Sequence, residues 1–250
     1  MEKGHNIFHT WNGKSLYRAG SLSTVARELL RYKSDLVGVG EVRWDERGTL
    51  RAGDYIFFCG GDENNQLGAA LFVHHGIVSA VTRVEFVSDR MSYIVLRGRW
   101  CNIVVLNVHA TSEEKSDDSK DRYCEELEQV SFYRFSKYRT TFLLGYFNTK
   151  LEREDIFKPT IGNESLNHDS NDNGFRIENF ATSKNLVVKS TMFPHRNIHK
   201  YTWTSPDVKT HNQIDHILID RRWHSSILHV RSFRGADCDT DHYLVVAKVS

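Results

Sequence analysis

Proline is scarce in this sequence, with 3 among 250 residues, and no stretch is rich in both serine and glycine. The longest polar run, residues 112–120, is too short to separate two domains. No internal repeat or low-complexity segment divides the chain. A chain of this length can bury one large core, so we predict a single domain over residues 4–250.

Cysteine is also sparse, and the four thiols show no CxxC spacing, which argues against a zinc site. No apolar run approaches the roughly 20 residues that a membrane span needs. Residues 1–10 lack the apolar stretch of a secretory signal. We therefore expect a nuclear or cytoplasmic protein that is neither secreted nor bound to a membrane.

Neither sign of charge predominates in the sequence, because the formal net charge is +1. A domain that binds nucleic acid through its overall field usually carries more positive charge. Two local basic clusters remain, at Arg221-Arg222 and at residues 195–200. Solvated surface charge explains each cluster, taken alone, at least as well as a binding site does.

Helical patterns are few, and short apolar runs are many. One predicted helix is capped by Ser21 and carries Leu22, Val25, Leu29 and Leu30 on one side. Two further helices are predicted over residues 119–137 and 174–184. Strands are predicted over residues 7–11, 36–39, 69–73, 93–96, 103–108, 141–144, 214–219 and 244–249.

Some of these runs are apolar at every position, as in residues 103–106, which is typical of strands covered on both faces. Many such strands with few helices indicate two packed sheets with helices outside them. The predicted fold class is therefore α/β, a two-sheet β-sandwich flanked by helices in four layers.

Polar side chains recur at the ends of the predicted strands. They are Asn12, Glu41, Asn107, His109, Asn148, Asp215, Asp241 and His242. Taken singly, most have an ordinary explanation, because asparagine favours turns and histidine is often buried and hydrogen-bonded. Asp215 is harder to dismiss, since a carboxylate inside an apolar strand needs a partner.

Taken together, these residues indicate a site. Carboxylate and amide oxygens are hard ligands that suit Mg²⁺ better than zinc. A buried aspartate beside a histidine at a strand end forms a pair in which the carboxylate fixes the tautomer of the imidazole.

Five motifs in the same order resemble those of the endonuclease/exonuclease/phosphatase superfamily, which includes deoxyribonuclease I and abasic-site endonucleases. They are residues 10–12 (TWN), 40–43 (GEVR), 144–148 (LGYFN), 213–218 (QIDHIL) and 241–242 (DH). Within that superfamily the chain is most similar to endonuclease domains of LINE-type retrotransposons. Residues 155–249 also resemble the endonuclease-like region of the craniofacial development protein 2 family.

The resemblance implies a role for each matching position. Glu41 would be the main ligand of Mg²⁺, or of Mn²⁺, with Asn12 and Asp241 nearby. His242 with Asp215 would engage the scissile phosphate. Asn148 would bind the phosphate or orient the nucleophile, and His109 would face the phosphate.

Two further residues match positions that contact DNA in the family. Trp203 lies in a segment that resembles a DNA-contacting loop, although a packed core aromatic is an equally good interpretation. Asn173 resembles a family loop asparagine, and a helix cap explains it equally well. The expected partner is DNA, with no small-molecule cofactor, and a monomer is favoured.

The chain departs from the family pattern at Tyr146, where Gly-Asp-x-Asn is expected and Gly145-Tyr146-Phe147-Asn148 is found. That aspartate is thought to deprotonate the attacking water, and a phenol, with a reference pKa near 10, is a poor base. Three hypotheses stay open: a weakened DNA endonuclease, an inactive nucleic-acid-binding remnant of the same fold, and an enzyme acting on another phosphodiester such as a lipid headgroup.

Overall fold

The computed structural model of the chain describes residues 5–13, 16, 20–44, 47–61, 68–134, 139–153, 158–236 and 240–250. Its helices are α1 (Ser21–Arg31), α2 (His75–Val78), α3 (Asp117–Arg134) and α4 (Asp172–Ser183). Its strands are β1 (Asn6–Asn12), β2 (Leu36–Gly40), β3 (Gly48–Ala52), β4 (Tyr55–Cys59), β5 (Ala70–His74), β6 (Val81–Phe86), β7 (Met91–Leu96), β8 (Asn102–His109), β9 (Arg139–Tyr146), β10 (Leu186–Val188), β11 (Trp203–Thr204), β12 (His211–Asn212), β13 (Asp215–Asp220), β14 (Ile227–Phe233) and β15 (Leu244–Val249).

The strands form two large mixed sheets and a small hairpin. The first sheet has the order β14-β15-β1-β2-β5-β4-β3, and the second has the order β10-β13-β9-β8-β7-β6. Each sheet contains one parallel pair at its centre, β1 with β2 and β8 with β9. Because the two strands of a parallel pair end at the same edge, residues that follow them are brought close together.

The inner faces of the two sheets pack against each other through a dense apolar layer. Phe8 on β1 meets Phe142 on β9 edge to face, with ring centroids 5.4 Å apart. Leu36, Val105 and Ile217 belong to the same buried cluster. This layer confirms the predicted sandwich of two sheets.

Each outer face is covered by helices. Helix α1 places Val25, Ala26 and Leu29 on the outer face of the first sheet. Helices α3 and α4 cover the second sheet, with Leu127 and Ile177 in the cluster that they share with it. The order helix, sheet, sheet, helix confirms the predicted α/β fold class. None of the helices in the described ranges combines the length and the apolar character that a membrane crossing requires.

The predicted helices need three corrections. Gly20, with φ 85°, occupies the position before α1, and no side chain caps this helix, so Ser21 is its first residue and not its cap. Leu30 is 46% exposed and does not share the buried side of α1. Helices α3 and α4 each begin two residues earlier than predicted, and residues 135–137 of the α3 prediction lie outside the described residues.

A close approach between the sheets constrains Gly38 on β2. A Cβ atom at this position would lie 2.4 Å from Oδ1 and 3.1 Å from Cβ of Asn107 on β8. Asn107 is buried, and its Nδ2 donates to the carbonyl oxygens of Val39 at 3.2 Å and Ala70 at 3.4 Å. Its carboxamide therefore joins the two sheets just below the edge where β2 and β8 end.

We predict that Gly38→Ala lowers the free energy of unfolding by about 1–3 kcal/mol, the usual range for overpacking a buried position. The reason is that Asn107 cannot retreat without leaving its two carbonyl partners. Urea unfolding measures the change. Gly48→Ala on the exposed strand β3, where no atom lies within 4 Å of the added carbon, is the matched control. Equal stability of the two variants would contradict the close approach.

Candidate active site

The predicted site residues lie at one edge of the sandwich, where both parallel pairs end. In the first sheet, Asn12 is the register partner of Gly40, and Glu41 follows directly. In the second sheet, Tyr146 has His109 as its partner on β8 and Asp215 as its partner on β13. The register of the second sheet thus places a phenol between a histidine and an aspartate.

Glu41 forms the centre of one group. Its Oε1 accepts a hydrogen bond from Asn12 Nδ2 at 3.1 Å and lies 3.3 Å from His109 Nε2. The contact with His109 lowers the pKa of Glu41 to about 2, although burial opposes this shift. Glu41 is therefore ionised at neutral pH. Its backbone has φ 55°, the left-handed region that a non-glycine residue seldom adopts outside functional or strained sites.

His242 and Asp215 form a second, fully buried group. His242 Nδ1 lies 3.1 Å from Asp215 Oδ2. Burial alone would lower the pKa of His242, but the charge and hydrogen bond of Asp215 outweigh it, and Asp241 and Glu41 add to the effect. The net shift is upward, so the pair favours an imidazolium held by a carboxylate.

Tyr146 lies between these groups. Its ring stacks on His109 with centroids 5.1 Å apart, and it meets His242 edge to face at 5.0 Å. Burial raises the pKa of the phenol, and the charges of Asp215, Glu41 and Asp241 raise it further. Tyr146 is therefore protonated at neutral pH.

The geometry of the backbone explains why the residue before Tyr146 is glycine. Gly145 has φ 155°, and a Cβ atom there would lie 2.0 Å from the carbonyl oxygen of Val108. Only glycine allows β9 to approach β8 this closely at the end of the parallel pair. The approach fixes where residue 146 enters the site.

Asn148 is held by two other asparagines. It has φ 50°, and its carbonyl oxygen accepts from Asn171 Nδ2 at 3.0 Å and from Asn173 Nδ2 at 3.5 Å. Asn148 Nδ2 and Asn173 Nδ2 both donate to the carbonyl oxygen of Thr111, at 3.3 and 3.0 Å. This network of hydrogen bonds supports a backbone conformation that would otherwise be strained.

Asn173 is not the cap of α4. Asn171 precedes the helix and accepts from the backbone N–H of Gly174 at 2.9 Å, which corrects the alternative interpretation of Asn173. Glu113 accepts from the N–H groups of Asp172 and Asn173 and from Asn171 Nδ2. Neither Asn171 nor Glu113 is among the residues predicted from the sequence. An asparagine before an apolar helical pattern is a cap signal that could have identified Asn171.

Trp203 is partly packed and partly exposed to a cavity, and its contact with DNA stays a prediction. It is half-buried, and its Nε1 donates to Asp241 Oδ2 at 3.1 Å, so it fixes the orientation of that carboxylate. It also lines a cavity of about 290 Å³ together with Tyr146, Asn148, Asn171 and Glu113. The structure therefore brings together every residue singled out for the site, whereas their individual roles stay predictions.

The residues present fit an oxygen-preferring cation. Among the described residues, no three His, Cys, Asp or Glu side chains are grouped as a complete metal site. However, Asn12 Oδ1 is buried without a hydrogen-bond partner, beside the ionised carboxylate of Glu41. One carboxylate and one amide oxygen suit Mg²⁺, which usually keeps several of its waters.

The fold is similar to that of DNA-processing enzymes of known structure. Over 98% of this chain it resembles a 3′ phosphatase, NExo, from Neisseria, bound to a product DNA hairpin, with a TM-score of 0.74, 20% identity and 99% of that chain covered. The AP endonuclease of Archaeoglobus fulgidus gives a TM-score of 0.73, 18% identity and the same coverages. The endonuclease domain of TRAS1, a telomere-specific non-LTR retrotransposon, gives 0.67, 12% identity and 98% of each chain.

The chain belongs to the Endonuclease/Exonuclease/phosphatase family, whose profile matches residues 5–242. It is 32% identical over 240 residues, 96% of its length, to craniofacial development protein 2 of Bos taurus and to that of Tragulus javanicus. These residues cover 40% and 41% of the two relatives, so the chain spans about two fifths of their length. The resemblance predicted from the motifs is confirmed.

We predict that Asp215→Asn lowers the pKa of His242, because burial then acts on the imidazole without the opposing charge. In the unaltered protein His242 titrates above its ordinary value of 6.5. It therefore contributes stability that is present below pH 6.5 and is lost as the pH rises through the folded-state pKa. Proton NMR of the imidazole resonance, assigned with His242→Ala, measures both values. An unchanged pKa in Asp215→Asn would refute the pairing.

Proposed function

We propose that this chain is a Mg²⁺-dependent phosphodiester hydrolase of the DNA-endonuclease type, retrotransposon-derived and weakened by Tyr146. One observation carries the proposal. Glu41, the His242–Asp215 pair and Asn148 surround residue 146 at the edge where both parallel pairs end. The supporting comparison is the family membership, together with the DNA-processing enzymes that share the fold.

Glu41 would hold the metal, with the oxygen of Asn12 beside it and Asp241 nearby. Bound there, Mg²⁺ would neutralise charge that develops on the phosphate. His109, at 3.3 Å from Glu41, keeps that carboxylate ionised and in place when no cation is bound. Trp203 would hold Asp241 toward the same region through its indole N–H.

The His242–Asp215 pair would bind a phosphate oxygen. Asp215 Oδ2 would accept a hydrogen bond from Nδ1–H, so Nε2 of His242 is left to donate to the substrate. The raised pKa of His242 favours the charged form of this donor, which strengthens a hydrogen bond to an oxyanion. Asn148 would contribute a neutral donor from a backbone position that Asn171 and Asn173 hold fixed.

Tyr146 would limit the rate. Hydrolysis needs a water that is aligned with the phosphorus and relieved of a proton. A buried, protonated phenol cannot take that proton at neutral pH, and its ring fills space between His109 and His242. Loss of a general base typically lowers a rate about 10²–10⁴-fold.

We expect Tyr146→Asp to raise plasmid-nicking activity in Mg²⁺ by about 10²–10⁴-fold. An aspartate among Glu41, Asp215 and Asp241 would have a raised pKa, because like charges disfavour its ionised form. This shift brings the pKa of the base nearer to the working pH, which is the condition under which general-base catalysis is most effective.

The control is Tyr146→Asn, which empties the same space without supplying a base. Tyr146→Asp combined with His242→Ala tests whether the gain depends on the phosphate-binding pair. Nicking by the unaltered protein at the rate of Tyr146→Asp would show that Tyr146 does not limit the site. No nicking by either folded protein would favour the inactive, nucleic-acid-binding alternative.

That alternative has its own support in the structure. A neutral phenol at residue 146 leaves the phosphate-binding groups in place, so the chain could bind a nucleic-acid backbone without cutting it. Trp203 on the wall of the cavity offers an aromatic face for a base.

A separate prediction concerns the metal and does not depend on activity. Mg²⁺ or Mn²⁺ should raise the melting temperature of the protein, because a ligand that binds only the folded state stabilises it. Glu41→Ala should abolish that rise. Asp207→Asn, which removes an exposed carboxylate on a loop, should keep it. The same metal-linked rise in Glu41→Ala and the unaltered protein would exclude Glu41 as the main ligand.

A further inference from the structure

The two basic clusters of the sequence have different surroundings in the structure. In the first, Arg221 donates to Thr160 Oγ1 at 2.9 Å, and Arg222 forms an ion pair with Asp220. The positive charge of Arg222 is therefore balanced locally, and this cluster is explained as ordinary surface charge.

The second cluster, residues 195–200, behaves otherwise. Lys200 is buried and paired with Glu164 at 2.8 Å, so it is not available to a ligand. His195 and His199 are partly exposed, and their rings lie 6.4 Å apart. His229 on the edge strand β14 joins them, with its ring centroid 4.7 Å from that of His195.

Cations from neighbouring elements surround these rings. The charge of Arg231 on β14 disfavours protonation of both His199 and His229. Arg196 has the same effect on His199, and Lys248 on β15 has it on His229. Burial is the largest cause that lowers the pKa of His199 and His229, and these cations lower it further. We call His195, His199, His229 and Arg231 the histidine patch.

The acidic groups near the histidine patch are engaged elsewhere. Glu164 interacts electrostatically with His195 but forms an ion pair with Lys200. Asp215 lines a small cavity together with His195, His199 and Arg231, but it is paired with His242. Lys189 lies over the ring of Phe193, whose ring centroid is 5.8 Å from that of His229. The patch therefore concentrates positive and protonatable groups, which an anion would stabilise.

The chain path connects this patch to the candidate active site. Three residues separate His199 from Trp203, which lines the cavity beside Tyr146, and Thr202 Oγ1 accepts a hydrogen bond from the N–H of Asp215 at 3.0 Å. A polyanion with regularly spaced phosphates can reach beyond the cavity, whereas a single small phosphoester cannot. Nucleic acid is thus the anion that both sites would share.

We propose that the histidine patch is a second contact for the phosphate backbone of nucleic acid, outside the catalytic cavity, and that its hold strengthens as the pH falls. The inference rests on the proposal that the cavity receives nucleic acid. Protonation of His199 and His229 below their ordinary pKa of 6.5 adds positive charge at the patch.

The test is binding of a fluorescent duplex oligonucleotide over a range of salt, at about pH 5.5 and about pH 7.5. The unaltered protein should bind more tightly and with a steeper salt dependence at the lower pH. The double variant His199→Gln and His229→Gln should lose this tightening but match the unaltered protein at the higher pH. Arg231→Gln should reduce the salt slope by about 1 at both values, as expected for one lost phosphate contact.

Arg222→Gln is the matched control, because it removes an arginine that Asp220 already neutralises, and it should bind like the unaltered protein. Melting temperatures show that each variant is folded. The same tightening in the double histidine variant and the unaltered protein overturns the second contact while leaving the cavity intact. No duplex binding by any protein, at either pH, overturns the proposed function as well. Patch-dependent binding to phosphatidylserine vesicles without duplex binding would reassign the patch to a lipid surface and overturn the inference.

Discussion

The packing of the two sheets, inner face to inner face, is the constraint on which the rest of the structure depends. Phe8 on β1 and Phe142 on β9 meet across that interface, and both belong to central strands. Because the central strands of each sheet are the parallel pairs, their packing sets the ends of one pair against the ends of the other. The candidate active site is the set of residues that follow those ends, so the apolar core determines which polar groups meet.

The polar groups at that edge are arranged by charge as much as by packing. Glu41, Asp215 and Asp241 all raise the pKa of Tyr146, which shows that their fields overlap at one point. Glu41 and Asp215 each have a histidine partner, His109 beside Glu41 and His242 beside Asp215, and the charge of Asp215 favours the protonated form of His242. A buried group of carboxylates is stable only with such partners or with a cation.

Much of the fold can be predicted from the sequence because parts of the central strands are covered on both faces and are apolar at every position. Residues 103–106 of β8 are an example. Edge strands lack this signal: β3 exposes four of its five residues and was not singled out. The start of α1 was mistaken for a different reason. Gly20, directly before the helix, has a left-handed φ, a backbone feature that a search for polar caps overlooks.

The site could be predicted where a residue type has a chemical meaning at a strand end, as for Glu41 and Asp215. It could not be predicted where a residue acts through the backbone of another. Asn171 has a sequence signal as a helix cap, but its contact with Asn148, and that of Glu113 with the start of α4, depend on tertiary structure. The histidine patch also depends on tertiary structure, because His229 lies 34 residues after His195 in the sequence.

The local energetics explain how a tyrosine can occupy residue 146 without loss of the fold. Glu41 and Asn148 adopt left-handed backbone conformations, which cost about 1–3 kcal/mol each in non-glycine residues. Asn12 Oδ1, buried without a partner, adds about 1–3 kcal/mol more. An aspartate at residue 146 would add a fourth carboxylate to Glu41, Asp215 and Asp241 and raise the repulsion among them. A neutral phenol avoids that repulsion, and its ring packs on His109 and His242. The phenol therefore favours stability at a point where the proposed hydrolysis would need charge, which is the trade-off expected when an active site is relieved of its strain.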